Sequence, residues 1–448
     1  MQVTTADLWE PAPGTILRWD VKAGGSGTPA VLSLNQRNHL AGAMAGEASV
    51  WLAGAFDTEG PIDAVALGHV WHAFVERHSS LQLEVARTAT GPAAYRHHPG
   101  GLVWTMAEVG ATSTTGETRK RLQQALAEGC HPFGYPAYVP LAVSRPDRST
   151  IVLGMDHLHG DAYSIALVVD EVATLYESYR DGFGRPALPE TACFLAGVER
   201  EYDEPVQVWH DDDRLLGWHA FLRARDFVLP TFPLGLGVAP GERVRQASLV
   251  REIADHALVE RVAVRARDQG ASTYAAALVA LAGAIHDLGG PERLDTLAPV
   301  QTRSDRASRR AVGWYTTTVP ISVAADLSDR GLAAAGAAVR AGMRLGEVPL
   351  DQVMASLPEP LVQARRDVFM VSWIDYRHLP GNGRAGERAA HHISAPTLAD
   401  DLQLWLSRTD AGLAARVRFP DAPAAHAAVT ALLERFGERL REIAGPVS

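Results

Sequence analysis

Apolar residues change their spacing repeatedly along this chain, and each change marks a passage between strand and helix. Residues 48–56 (Ala-Ser-Val-Trp-Leu-Ala-Gly-Ala-Phe) gather β-branched and aromatic side chains into a short run. That run predicts a strand, reached through a loop that opens with Val31-Leu32-Ser33-Leu34-Asn35-Gln36. After Pro61 and Asp63 the period lengthens. Ala64, Leu67, Val70, Trp71, Phe74 and Val75 recur at the i, i+3, i+4 spacing of one helix face, and Arg77 to Leu81 end the helix. Residues 149–155 read as a buried strand. Residues 163–179, with Ile165, Leu167, Val168, Val172 and Leu175, read as a long helix closed by Asp181-Gly182-Phe183-Gly184-Arg185-Pro186.

The mixture returns in the second half. A strand is predicted at 246–250, helices at 254–267 and 273–288, and strands at 316–323 and 368–374. The runs 402–407 and 413–418 flank the turn Arg408-Thr409-Asp410-Ala411-Gly412 as a hairpin, and a helix over 424–443 follows. Strands alternating with helices throughout predict an α/β protein. Charges dominate 199–214, and the connection between two domains is placed there.

Composition narrows the function. A chain of 448 residues, 47% hydrophobic and 21% charged, is large enough for two cores of about 200 residues each. With 42 basic against 52 acidic residues the formal charge is -10, leaving no basic surplus for a phosphate backbone, so no nucleic-acid partner is expected. The two cysteines, Cys130 and Cys193, support neither a disulfide framework nor a thiolate zinc site, which fits a reducing cytoplasm. The first 19 residues lack the basic-then-apolar order of a signal peptide. The apolar stretch 275–285 is far short of the roughly 20 residues that span a bilayer, so no membrane association is expected.

The chemistry concentrates at one turn. In Ile151-Val152-Leu153-Gly154-Met155-Asp156-His157-Leu158-His159-Gly160-Asp161-Ala162-Tyr163-Ser164, two histidines and two aspartates follow an apolar strand and precede a helix. Side chains leave a core at such a turn, and an imidazole there can accept a proton from an attacking nucleophile. No Gly-x-Ser-x-Gly elbow is present, and Cys130 lies in no recognised protease signature, so no covalent acyl-enzyme is expected.

Asp156-His157-Leu158-His159-Gly160-Asp161-Ala162 resembles the His-His-x-x-x-Asp-Gly motif of condensation domains of nonribosomal peptide synthesis and the related polyketide-associated acyltransferases. Asp156 stands in place of the first histidine and Ala162 in place of the glycine. Supporting segments occur in the family's order. They are the opening Val31 to Gln36 stretch, Arg77-His78-Ser79-Ser80-Leu81, Val312-Gly313-Trp314-Tyr315-Thr316-Thr317-Thr318-Val319-Pro320 with Thr317 where asparagine is usual, and Val371-Ser372-Trp373-Ile374-Asp375-Tyr376-Arg377. The last is most similar to free-standing, ester-forming members.

The resemblance implies a pseudo-dimer of two chloramphenicol-acetyltransferase-like lobes forming a V with a central tunnel. The expected division is an N-terminal lobe over 1–195, a connecting segment over 196–235 and a C-terminal lobe over 236–448. By the same resemblance His157 is the catalytic base, and Asp161 orders the loop through a salt bridge to Arg303. The donor is an acyl thioester on the phosphopantetheine arm of an acyl or peptidyl carrier protein, and the acceptor is a small-molecule hydroxyl or amine. No resident cofactor or metal is implied, and a monomer is expected.

Several roles stay open at this level. His159 shapes the loop or serves as a second base, and Asp156 sits behind His157 or contributes only to structure; neighbouring side chains on a strand point to opposite faces, which disfavours direct contact between Asp156 and the His157 ring. Trp314, Tyr315 and Trp373 line a tunnel or fill a core. Two other readings compete: a carrier-protein binding module that has lost its chemistry, motivated by Asp156 and Ala162, and a metal hydrolase using His157, His159 and Asp161 as ligands.

Overall fold

The computed structural model describes residues 1–446. The chain divides into two compact units. The first comprises Met1–Pro205, Thr302–Tyr315 and His378–Thr397, and the second Val206–Gln301, Thr316–Arg377 and the rest of the chain from Leu398.

A seven-stranded sheet organises the first unit, in the order Gln2–Thr5, His391–Ser394, Trp51–Glu59, Arg148–Asp156, Tyr138–Ser144, Thr15–Ala23, Leu102–Ala111. All neighbours are antiparallel except the parallel pair Gln2–Thr5 and His391–Ser394. The Arg148–Asp156 strand lies at the centre of this sheet, covered on both sides, which is why its run from Ile151 to Met155 carries no polar side chain rather than alternating. Ile151, Leu153 and Met155 pack with Ile165, Val168, Val169 and Val172 of the helix Ala162–Arg180. Val152 points the other way, into a cluster with Leu122, Leu126 and Cys130. On that second face the helix Thr115–Gly129 comes so close that a Cβ on Gly154 would sit 2.1 Å from Leu126 Cδ2. A smaller sheet, Thr28–Ala30, Gly91–Arg96 and Leu83–Thr88, completes the unit.

The second unit is built on another mixed seven-stranded sheet. Its order is Thr316–Ala324, Arg293–Gln301, Met370–Asp375, Gln403–Arg408, Gly412–Pro420, Val244–Asp255, Leu398–Ala399. The helices His256–Asp268, Thr273–Asp287, Asp329–Leu345 and Pro423–Ala444 contribute to its core. Residues 274–285 are buried without exception, matching a helix that is apolar all round.

Two expectations are corrected. Residues 34–44 form a helix, Leu34–Met44, where a loop was expected. Ser33 accepts from the Gln36 backbone N–H and the Gln36 side chain returns a bond to Ser33, a capping box that outweighs the weak amphipathicity of the segment. The contiguous division at 1–195, 196–235 and 236–448 also differs from the structure, because residues 302–315 and 378–397 belong to the first unit. The strand His391–Ser394 is paired on both sides within the first sheet, and Arg303 is ion-paired to Asp161; both bonds overrule sequence order.

Candidate active site

The central strand ends at Asp156, and one turn of 3-10 helix, His157–His159, carries the chain to Gly160 and Asp161. Two backbone bonds fix the exit: the Asp156 N–H donates to Ala137 O and the His157 N–H to Val50 O, both at 2.8 Å. Gln36 Nε2 donates to Leu158 O at 3.0 Å, so the helix 34–44 holds the turn from one side. Ser80 holds it from another, its hydroxyl donating to His159 O at 2.5 Å while its carbonyl accepts from His159 Nδ1 at 2.7 Å.

His157 retains partial exposure. Its ring lies against Trp314, with centroids 3.9 Å apart. Burial, reinforced by the nearby His39, lowers its pKa to about 4, so the ring is neutral at pH 7. Nδ1 is buried without a hydrogen-bond partner among the described residues. In the neutral ring one nitrogen carries the proton and the other keeps a lone pair that can accept.

Asp161 is the N-cap of the helix Ala162–Arg180, accepting from Ser164 N at 2.9 Å. Ala162 is that helix's first residue. Arg303 grips the same carboxylate with both terminal nitrogens, Nη1 at 2.7 Å from Oδ2 and Nη2 at 3.1 Å from Oδ1. Burial opposes the charge on Asp161, but Arg303 and the bonds from Ser164 hold its pKa below the usual carboxylate value. The guanidinium carbon lies 4.5 Å from the ring centroids of both Tyr163 and Tyr315. The expected Asp161–Arg303 pair is therefore formed, with side chains only 4% and 2% exposed, and it lies within the first unit.

Arg303 also fastens the segment that carries Trp314. Nη2 donates to Ala311 O at 3.1 Å and to Gly313 O at 3.2 Å, and the Tyr315 N–H donates to Asp161 at 3.1 Å. A Cβ on Gly313 would lie 2.5 Å from the Phe194 ring. Behind this segment His78 accepts from Val312 N at 3.3 Å and bonds Glu171 at 3.0 Å. Glu171 is buried and takes Arg77 Nε at 2.8 Å. The Arg77-His78 pair noted in the sequence thus braces the Trp314 loop, a role that neither spacing nor composition revealed.

Asp156 ends the strand and caps the 3-10 turn, its carboxylate bonded to residues other than His157. It is fully buried and accepts from His39 Nε2 at 2.7 Å, Ser49 Oγ at 3.0 Å and Leu158 N at 2.9 Å. His39 and Ser49 were missed in the sequence; the Ser33-x-x-Gln36 capping box was the available signal for the helix that carries His39. His159 is wholly buried, and burial lowers its pKa to about 4. His159 bonds Ser80 and Asp161 bonds Arg303, so these side chains are committed elsewhere than to a metal. Among the described residues no group of three or more His, Cys, Asp or Glu could hold a metal ion.

The structure therefore brings Asp156, His157, His159, Asp161, Ala162, Arg303, Trp314 and Tyr315 into the first unit. Thr317 and Trp373 belong to the second. There Thr317 pairs with Val300 across two strands, and Trp373 packs on that unit's core with its ring 5.7 Å from Tyr274.

No protein-family model matches the chain. Full-length relatives do. Acyltransferase PapA3 of Mycobacterium tuberculosis is 24% identical over 469 residues, covering 99% of this chain and 97% of the relative. Trehalose-2-sulfate acyltransferase PapA2 of Mycobacterium bovis is 23% identical, covering 95% and 94%. Among solved structures, a PapA2 acyl transferase superposes with a TM-score of 0.88 at 21% identity over 100% of both chains. The first condensation domain of the calcium-dependent antibiotic synthetase superposes with a TM-score of 0.65 at 17% identity, over 94% of this chain and 97% of that one. The α/β fold with its two mixed sheets is that of the PapA2 acyl transferase and of the condensation domains, and along its full length the chain is similar in sequence to the PapA acyltransferases.

Proposed function

We propose that this acyltransferase moves an acyl group from a thioester on the phosphopantetheine arm of a carrier protein to a hydroxyl of a small-molecule acceptor, with His157 as general base. The observation that carries this reading is the placement of His157 at the end of the central strand, partly accessible and with its ring against Trp314, where burial lowers its pKa and keeps the ring neutral at pH 7. The relative named trehalose-2-sulfate acyltransferase favours a hydroxyl over an amine.

In the reaction the acceptor oxygen attacks the thioester carbonyl carbon while His157 Nε2 takes the hydroxyl proton. The C–O bond forms, the C–S bond breaks, and the proton passes to the departing thiolate. The alcohol becomes acidic as its bond to carbon forms, so a weakly basic imidazole suffices. The imidazolium is then opposed by the developing oxyanion. Trp314 holds the ring plane, and Asp161, Arg303 and Gly313 hold Trp314. Positioning two substrates together can supply roughly 7–11 kcal/mol, and the base a further factor of about 10²–10⁴.

The test is mass spectrometry of product formed from carrier-bound acyl thioesters and a panel of alcohols and amines. His157→Ala should lower transfer at least about 10²-fold with the fold intact. A folded His157→Ala variant with unreduced transfer refutes the assignment.

A further inference from the structure

The mechanism above leaves one pair unused. The buried Asp156 carboxylate occupies the motif position where a histidine is usual, and it binds Nε2 of His39, a histidine contributed by the helix Leu34–Met44. The carboxylate is itself fixed by Ser49 and by the Leu158 N–H, so it sets the orientation of the His39 ring. It also sets the tautomer: a proton on Nε2 faces Asp156 and leaves a lone pair on Nδ1.

His39 Nδ1 makes no hydrogen bond to any described residue, although the side chain is only 10% exposed. The ring stands edge-on to Trp314 at 5.9 Å, and its centroid is 6.4 Å from that of His157. Two imidazoles, that of His39 fixed through Nε2 and that of His157 lying against the indole, therefore flank the same tryptophan. Two hydroxyl oxygens, each about 2.8 Å from a ring nitrogen and adjacent to each other, fit rings at this separation.

We propose that His39, held by Asp156, is an acceptor-binding residue that takes the hydrogen bond of a second hydroxyl next to the one being acylated, so that the site selects vicinal diols and polyols over simple alcohols. The inference rests on the acyl-transfer reading of His157. It also accounts for the departure at Asp156: the carboxylate is the orienter of a histidine supplied from another element. A site built to bind a hydroxyl discriminates strongly against an acceptor lacking it, because its own polar group is then left without a partner.

The experiment compares trans-1,2-cyclohexanediol with cyclohexanol as acceptors, using an acyl-N-acetylcysteamine thioester as donor and the full chain. The readout is the ratio of the two kcat/KM values, in which the concentration of folded enzyme cancels, so partial misfolding of a variant does not obscure it. The unaltered protein should favour the diol by at least about tenfold, and His39→Ala and His39→Phe should each lose most of that preference. Asp156→Asn should lower it in the same direction, since the orienting charge is gone. A protein with no preference for the diol, or a preference that survives in both His39 variants, overturns the inference. Failure of the underlying reading looks different: His157→Ala then acylates both acceptors as fast as the unaltered chain.

Discussion

Asp161 and Arg303 are 142 residues apart in sequence yet share two hydrogen bonds in a nearly dry setting, so the consequences of separating them can be worked out. Asp161→Ala removes the carboxylate from a buried guanidinium that keeps Ser164 Oγ, two carbonyls and two tyrosine rings. It also removes a helix cap. Breaking a buried pair from one side costs about 3–5 kcal/mol, and losing the cap adds about 1 kcal/mol. Arg303→Ala should cost about 3–5 kcal/mol, because the carboxylate it abandons still accepts from Ser164 and Tyr315. The double variant strands no charge, so its loss should fall short of the sum by about 2 kcal/mol. Urea unfolding followed by circular dichroism and by tryptophan fluorescence measures all three, with coincident transitions as the check that a single free energy applies. Losses that add to within about 0.5 kcal/mol would refute the argument. The pH dependence gives an independent check. The folded Asp161 pKa lies below its unfolded value, so the pair's contribution is present above the ordinary carboxylate range and is lost only as the pH falls through the lowered pKa.

Other consequences are open to simpler measurements. Because the His157 pKa is lowered to about 4, the acid limb of kcat/KM should fall near pH 4, and a limb at an ordinary histidine value would contradict the burial argument. His159 is also lowered to about 4 and fully buried, so the unfolded state binds its proton first; its own contribution to stability should decline by about 3 kcal/mol between pH 6.5 and 4, and a His159→Asn variant should show a shallower decline in urea midpoint. Gly313→Ala should cost about 1–3 kcal/mol and reduce transfer, since its Cβ drives the Trp314 segment off Phe194; unchanged stability would mean the loop moves freely. Treatment with a chelator should leave transfer unchanged, as checked by product mass spectrometry, and restoration of a lost activity by zinc would count against the mechanism.

Much of the site was legible along the chain because it is local. An apolar run ending in Asp156-His157 and restarting as an amphipathic helix at Asp161 can only be a strand, a turn and a capped helix. The residue types at that turn suggest a base and its anchor. The helices 64–77 and 273–287 were equally plain, since a wide apolar face repeats at helical spacing regardless of what covers it. What covers it is decided only by the fold. Nothing in the spacing of residues says that the strand His391–Ser394 inserts into a sheet of the first unit, that Glu171 grips Arg77 and His78 beneath the Trp314 loop, or that Asp156 finds its partner in His39. Each of these joins groups about 90 to 340 residues apart. Buried charges and strand edges must be satisfied somewhere, but the partner that satisfies them is chosen by three-dimensional packing, which local periodicity does not encode.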